Sequence, residues 1–154
     1  MNYIIESLLV GTYTWLIYML FSVFIKNLYV LLLVVGFFKH FLGSSLQIHS
    51  WYCNNGKACI KVLSQDQNYE ANTVYLIRDS LLEAIAFLVV GFILSFQKTT
   101  FSEPFLFRTF PFSQKSIELT NSILFFSIGV ILHIAAENLL VHKYFCKTTC
   151  DIEK

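Results

Sequence analysis

The stretch that decides the fold runs from Gly36 to Cys53 and reads GFFKHFLGSSLQIHSWYC. It aligns without gaps to GVILHIAAENLLVHKYFC, which runs from Gly129 to Cys146. The alignment places Gly36, His40, His49 and Cys53 on Gly129, His133, His142 and Cys146. Similarity within one chain at a fixed spacing indicates a repeated structural unit. The sequence therefore predicts that the chain contains two copies of one unit.

The composition is that of a membrane protein. Of the 154 residues, 56% are hydrophobic and 14% are charged, whereas soluble domains have roughly 25% charged residues. A domain of about 150 residues still leaves about a third of its chain surface facing solvent. This apolar excess therefore has no room in a soluble core. The formal net charge of +1 gives no basic surface for nucleic acid.

Four stretches are long and apolar enough to cross a hydrocarbon core, which takes about 20 helical residues. They are Tyr3 to Phe24, Leu28 to Ile48, Tyr75 to Phe96, and Ile117 to Val141. The connection between the first two, around Lys26 and Asn27, is short. One long bent helix from Tyr3 to Phe38 is therefore a competing interpretation.

The predicted fold is an all-α membrane protein with four transmembrane helices, formed by tandem duplication of a two-helix hairpin. Residues 1–61 form the first hairpin with its cysteine loop, and residues 62–74 form a linker. Residues 75–154 form the second hairpin, with an aromatic loop at 97–116 and a cysteine-containing tail. Because each copy has two spans, both insert in the same orientation, and the pseudo-twofold axis runs along the membrane normal.

An even number of spans places both termini on one side of the membrane. That side carries Lys57, Lys61, Arg78, Lys143, Lys147 and Lys154, whereas the other side carries Lys26, Lys98, Arg108 and Lys115. Cytoplasmic loops are enriched in lysine and arginine. The excess favours a multi-pass protein with both termini in the cytoplasm.

Ionisable residues within the predicted spans form an expected intramembrane polar cluster. They are Lys39, His40, Glu83, His133 and Glu137. Such groups are costly at membrane depth and normally find partners inside the bundle. We expect Lys39 to pair with Glu83 or Glu137, and we expect His133 and Glu137, four residues apart, to share a hydrogen bond.

In the structural interpretation, these charges pair and hold the bundle together. The alternative is a proton or ion relay through Lys39, His133 and Glu137, as in a small transporter. His40 and His133 lie at aligned positions and are weak candidates for the two axial ligands of a haem. Structural histidines that hydrogen-bond to a neighbouring backbone group or carboxylate are the favoured interpretation. We therefore predict no cofactor.

Four cysteines follow the even-numbered spans in two pairs, Cys53 with Cys59 and Cys146 with Cys150. The duplication favours a disulfide within each pair, and a cross-link from Cys53 to Cys146 is the second choice. A four-thiolate zinc site is a third alternative, which the spacings do not favour. Disulfides prefer an oxidising compartment, whereas the lysine and arginine count places this face in the cytoplasm.

A four-helix membrane bundle with two cysteine pairs on one face resembles, in layout, the DsbB and vitamin K epoxide reductase families. This resemblance implies a quinone-linked thiol oxidase. Those families use a Cys-x-x-Cys motif, and this chain has none. No catalytic residue is therefore assigned.

The second span and its loop resemble small multi-span membrane proteins of large DNA viruses. The similar residues are KHFLG, beginning at Lys39, and IHSWYCNNGKAC, beginning at Ile48. This resemblance implies a component of a virion's internal membrane, with disulfides that a viral oxidation system could form even facing the cytoplasm.

The sequence has no phosphate-binding glycine loop, zinc-protease motif or nucleophile elbow. It therefore favours a non-enzymatic structural or assembly protein, stapled by disulfides and in contact with the bilayer and with other membrane or capsid-type proteins. A thiol-disulfide oxidoreductase and a bis-histidine haem carrier or small transporter are the alternatives.

Overall fold

The computed structural model describes residues 3–62, 73–101 and 114–150, and these residues form helices without a strand. The helices are α1 (Tyr3–Ser22), α2 (Leu28–Ser45), α3 (Ile48–Asn55), α4 (Lys57–Val62), α5 (Thr73–Phe101), α6 (Gln114–Asn138) and α7 (Val141–Phe145), followed by a π-helical turn (Cys146–Cys150). Within the described ranges, three helical stretches are long and apolar enough to cross a membrane: Tyr3–Ser22, Leu28–Ser45 and Asn121–Asn138. The predictions of an all-α fold and of membrane-length helices are thereby confirmed.

Helices α1 and α2 are separate, so the interpretation as one long bent helix is wrong. The Oδ1 atom of Asn27 accepts hydrogen bonds from the backbone N–H groups of Tyr29, at 3.0 Å, and Val30, at 3.2 Å. An asparagine in this position satisfies donors that the first helical turn leaves free. The cap therefore starts a new helix at Leu28 after the first one has ended at Ser22.

Several predicted boundaries differ from the observed ones. Helix α2 ends at Ser45 rather than at residue 48. Helix α5 continues to Phe101, and α6 begins at Gln114, so both ends of the predicted aromatic loop are helical. The rest of that loop, 102–113, and most of the linker, 63–72, lie outside the described residues.

Each long helix packs mainly against a helix from the other half of the chain. The two largest helix interfaces join α1 to α6 and α2 to α5, and smaller ones join α1 to α2 and α5 to α6. The first long helix of each half therefore packs mainly against the second long helix of the other half. Large apolar side chains on the outer faces of these helices remain exposed, as expected for surfaces that face lipid.

Small residues mark the closest approach in both main interfaces. A Cβ atom added to Gly129 would lie 3.1 Å from the Cα atom of Gly11 and 2.8 Å from the Cβ atom of Thr14. One added to Gly36 would lie 2.8 Å from the Cα atom of Ala84. Small residues let helix backbones approach closely where apolar burial gives no driving force, as in lipid. Gly36 and Gly129 are also aligned in sequence.

The chain turns in the same way after α2 and after α6. Gln47 has φ 58° and ψ 18°, and Leu140 has φ 62° and ψ 13°. Non-glycine residues seldom adopt this left-handed conformation. At each of these residues the chain changes direction, and the next helix begins at the following residue, Ile48 or Val141. The histidines and cysteines that follow are thereby folded back over the end of the bundle.

Leucine at position 129 should force α1 and α6 apart, because its side chain has no space beside Gly11 and Thr14. We expect Gly129→Leu to lower the free energy of unfolding by about 2 kcal/mol or more, the upper part of the range for overpacked cores. Thermal unfolding of the purified protein in detergent measures this loss. Ile123→Leu, a change on the exposed face of the same helix, is the matched control, and equal melting temperatures for the two variants would contradict the close crossing.

Candidate functional site

All four cysteines meet at one end of the bundle. Cys53 is bonded to Cys150 and Cys59 is bonded to Cys146, with Cα–Cα distances of 5.6 Å and 5.2 Å. The Sγ atoms of Cys59 and Cys150, which belong to different disulfides, are 3.8 Å apart. Cys53 is 5% exposed, and the other three are fully buried. The sulfur atoms therefore form one compact centre, which we call the cysteine centre.

Both disulfide pairings expected from the sequence are wrong. The bonds join α3 and α4 to the π-helical turn near the end of the chain, with sequence separations of 97 and 87 residues. Bonds within each pair would follow from the cysteines' proximity in sequence. They do not form because α3 and α4 both pack against the segment after α7, which places each cysteine beside one from the other half.

A first polar cluster, Lys39, His40, His49 and Glu83, joins α2 to α5 near the cysteine centre. Lys39 Nζ forms an ion pair with Glu83 Oε1. The other carboxylate oxygen lies 3.1 Å from His40 Nδ1. The His40 and His49 rings are in contact, with centroids 4.4 Å apart. One carboxylate thus joins a lysine and a histidine of the facing helix, and the charges of Lys39 and Glu83 balance.

A second polar cluster, Glu6, Tyr52, His133, Glu137 and His142, joins α1 to α6 and α3. Glu6 Oε1 lies 3.3 Å from His133 Nε2, and Glu6 Oε2 accepts a hydrogen bond from the backbone N–H of Lys57 at 3.3 Å. Glu137 Oε2 lies 3.2 Å from His142 Nδ1. The rings of His133 and His142 have centroids 4.5 Å apart. This arrangement parallels the first cluster, with a carboxylate from the opposite half beside a pair of histidines.

The contact between Glu6 and His133 is more deeply buried than the other carboxylate contacts of the two clusters. Glu6 is 2% exposed and His133 is 5% exposed. The Oε1 atom of Glu6, the Nε2 atom of His133 and the hydroxyl of Tyr52 are buried without a well-aligned hydrogen bond within the described part of the chain. Glu6 and His133 are close enough for electrostatic attraction, but their orientation is poor for hydrogen bonding.

The structure divides the predicted polar residues between the two clusters. Lys39, His40 and Glu83 belong to the first cluster, and His133 and Glu137 to the second. Glu137 contacts His142 instead of the expected His133, because the turn at Leu140 folds His142 back over it. The proposed relay through Lys39, His133 and Glu137 would have to cross from one cluster to the other.

Each inner histidine packs against the outer histidine of its own half. His40 contacts His49 and His133 contacts His142. A shared haem would need His40 and His133 to face each other, and no ring contact between these two is found in the described residues. Glu6 and Tyr52 were not predicted as site residues. Residues Tyr3–Leu9 (YIIESLL) resemble Tyr75–Leu82 (YLIRDSLL), with one extra residue in the second stretch, and this similarity is a signal that could have drawn attention to Glu6.

Burial keeps the outer histidines neutral. It lowers the pKa of His49 to about 3, and the neighbouring His40 contributes further in the same direction. Burial also lowers the pKa of His142 to about 4, helped by His133 and opposed by Glu137. Burial and the nearby carboxylates Glu6 and Glu137 raise the pKa of the Tyr52 phenol. These groups therefore stay uncharged at neutral pH.

Stability should fall as the medium becomes acidic. An unfolded histidine titrates near pH 6.5, whereas folded His49 and His142 resist protonation down to about pH 3 and 4. Between these limits the unfolded chain binds more protons than the folded chain. The free energy of unfolding therefore decreases by up to about 1.4 kcal/mol for each histidine with every unit by which the pH is lowered.

We expect His49→Gln and His142→Gln each to reduce the slope of stability against pH between pH 6.5 and 4.5. Chemical unfolding in detergent at a series of pH values gives this slope. Above pH 7 the histidine is neutral in both the folded and the unfolded chain. The difference in the free energy of unfolding between each variant and the unaltered protein should therefore no longer change with pH. A slope that neither substitution changes would contradict buried neutral histidines.

Comparison with known proteins adds nothing to this geometry: no family model matches the chain, and no curated protein or solved structure is significantly similar to it.

Proposed function

We propose that this protein is a structural or assembly component of a membrane, held rigid by its cysteine centre. The observation that carries the proposal is that both disulfides join distant segments, and that their sulfur atoms are buried. A disulfide stabilises chiefly by restricting the unfolded chain, and more so when it closes a longer loop. Buried sulfur atoms suit this role better than reaction with a substrate, which needs an accessible thiolate.

We further propose that α5 is a fourth span, so that both termini lie on one side. The helix has 29 residues, about 43 Å at 1.5 Å per residue, which exceeds a hydrocarbon core of about 30 Å. Its charged residues between Thr73 and Leu94 have partners: Glu83 pairs with Lys39, and Arg78 pairs with Asp79 at 2.9 Å. Pairing lowers the cost of charge at membrane depth.

Epitope tags at the two ends test the fourth span. In sealed membrane vesicles, protease should remove both tags or neither, because four spans return the chain to its starting side. A vesicle preparation with detergent added is the control in which both tags must be removed. Removal of one tag alone would indicate an odd number of spans.

We propose that the two halves arose by duplication of one hairpin, related by a pseudo-twofold axis along the membrane normal. Three pairs of aligned features support this. They are the close approaches at Gly36 and Gly129, the left-handed turns at Gln47 and Leu140, and the histidine pairs His40 with His49 and His133 with His142. In addition, the aligned cysteines Cys53 and Cys146 are each bonded to a cysteine of the other half.

The exposed apolar faces of the long helices support contact with the bilayer and with other membrane or capsid-type proteins. The resemblance of residues 39–59 to viral membrane proteins supports extending the proposal to a virion's internal membrane. Fractionation of virions tests this setting: the protein should remain with the internal membrane after the outer layers are removed. Its release with the outer layers would argue against it.

A second candidate function is thiol-disulfide exchange, which one distance favours. Cys59 Sγ and Cys150 Sγ lie 3.8 Å apart in different disulfides, so reduction of one bond would leave a thiol beside the other. Exchange with a partner would require exposure of sulfur atoms that are buried in this conformation.

Paired serine variants distinguish the two functions. Once one disulfide exists, the second closes a ring of only about a dozen residues and adds about 3 kcal/mol, whereas the first closes a loop near 100 residues and adds about 4.7 kcal/mol. We expect Cys53→Ser with Cys150→Ser, or Cys59→Ser with Cys146→Ser, to cost about 3 kcal/mol each. Removal of all four should cost about 8 kcal/mol.

Chemical unfolding in detergent measures these losses, and mass spectrometry of non-reduced peptides checks the pairing. The unaltered protein, given a dithiol and a soluble quinone, should show no more turnover than the four-serine variant. Cysteine-dependent turnover would replace the structural function with the oxidoreductase function. Additive losses from the two pairs would contradict the nested arrangement of the bonds.

A further inference from the structure

The cysteine centre gathers four cysteine sulfur atoms, the ligand set of many structural zinc sites, at one buried place. The Sγ atoms of Cys59, Cys146 and Cys150 all lie within 4.8 Å of one another, and Cys53 is bonded to the last of these. A zinc ion bound by thiolates at about 2.3 Å is tetrahedral, which places neighbouring sulfur atoms about 3.8 Å apart. The Sγ atoms of Cys59 and Cys150 are already separated by 3.8 Å.

We propose that the reduced protein binds one zinc ion through Cys53, Cys59, Cys146 and Cys150, in place of the two disulfides. The bonded sulfur atoms of each disulfide need to move apart by about 1.7 Å, from about 2.05 Å to about 3.8 Å. The same four segments remain joined, so the metal performs the stapling role of the disulfides. The inference rests on the proposed structural function and extends it to reducing conditions.

The surroundings fit a closed structural metal site. All four cysteines are buried, so no open position is left for a water or a substrate, and structural zinc sites have four protein ligands. A zinc ion with four thiolates has a net charge of −2. The sequence within three residues of Cys59, Cys146 and Cys150 has a net charge of +2, which partly offsets this negative charge. It contains Lys57, Lys61, Lys143, Lys147, Asp151 and Glu153.

The proposal also removes a conflict between compartment and chemistry. The lysine and arginine distribution favours a cytoplasmic position for this end of the bundle, where thiols are kept reduced. Four reduced thiols buried against one another would leave the end of the bundle without its cross-links. A zinc ion restores them, since metal binding to a site absent from the unfolded chain contributes directly to folding.

The exchange between the two states is balanced. A dithiol reductant gives two electrons and two protons to each disulfide, which makes four thiols and leaves two oxidised reductant molecules. Binding of Zn²⁺ then releases four protons. In the reverse direction, two molecules of hydrogen peroxide accept four electrons and four protons to form water, both disulfides return, and Zn²⁺ is released.

The test uses full-length protein in detergent, reduced with a phosphine and freed of metal. We expect Co²⁺ to bind one per chain with the intense visible bands of a tetrahedral thiolate site, and Zn²⁺ to displace it. Cys150→Ser should weaken Zn²⁺ binding by more than about tenfold, because loss of a residue that merely supports a ligand already costs 10–100-fold. Ser45→Ala, an exposed hydroxyl at the end of α2, is the control and should bind like the unaltered protein.

Absence of metal binding, an octahedral Co²⁺ spectrum, or equal affinity of the Cys150→Ser variant would each overturn the proposal. Because a variant could fail to fold, the unaltered protein provides an independent measurement. Two equivalents of hydrogen peroxide should release its zinc and restore the Cys53–Cys150 and Cys59–Cys146 bonds. Zinc that stays bound after both disulfides have returned would also overturn the proposal. Disulfide mapping of unreduced protein tests the structural function separately from the metal.

Discussion

The structure depends on the packing of each long helix against a helix from the other half of the chain. Helix α1 meets α6 where Gly129 approaches Gly11, and α2 meets α5 where Gly36 approaches Ala84. Neither half can leave the other without opening both interfaces. This packing also decides the polar contacts, because Glu6 on α1 reaches His133 on α6, and Glu83 on α5 reaches His40 on α2. The carboxylate beside each inner histidine thus comes from the opposite half.

Sequence patterns were sufficient for the features that depend on composition and local spacing. Apolar runs of spanning length predicted the positions of α1, α2 and α6, and the gapless alignment picked out Gly36 and Gly129, whose common role is close packing. The ends of the helices were less predictable. The left-handed conformation is typical of glycine, but the turns at Gln47 and Leu140 contain none. No local sequence signal therefore marked where α2 and α6 end.

Contacts between distant segments could not be read from the sequence, because they depend on which helices pack together. The disulfides expected from proximity along the chain did not form, since α3 and α4 both pack against the last described segment, which places Cys53 beside Cys150 and Cys59 beside Cys146. Glu137 had two histidines within reach on its own segment. Helical spacing favoured His133, but the turn at Leu140 selected His142.

The nesting of the two disulfides explains why the centre has two bonds. A single bond between these segments already closes a loop of about 90 residues and so supplies most of the entropic stabilisation. With only one bond, two thiols would remain buried against it, at separations comparable to the 3.8 Å between Cys59 and Cys150. A thiolate at that distance can attack the disulfide and exchange partners. The second bond consumes both remaining thiols, so it protects the connectivity of the first in addition to its own contribution to stability.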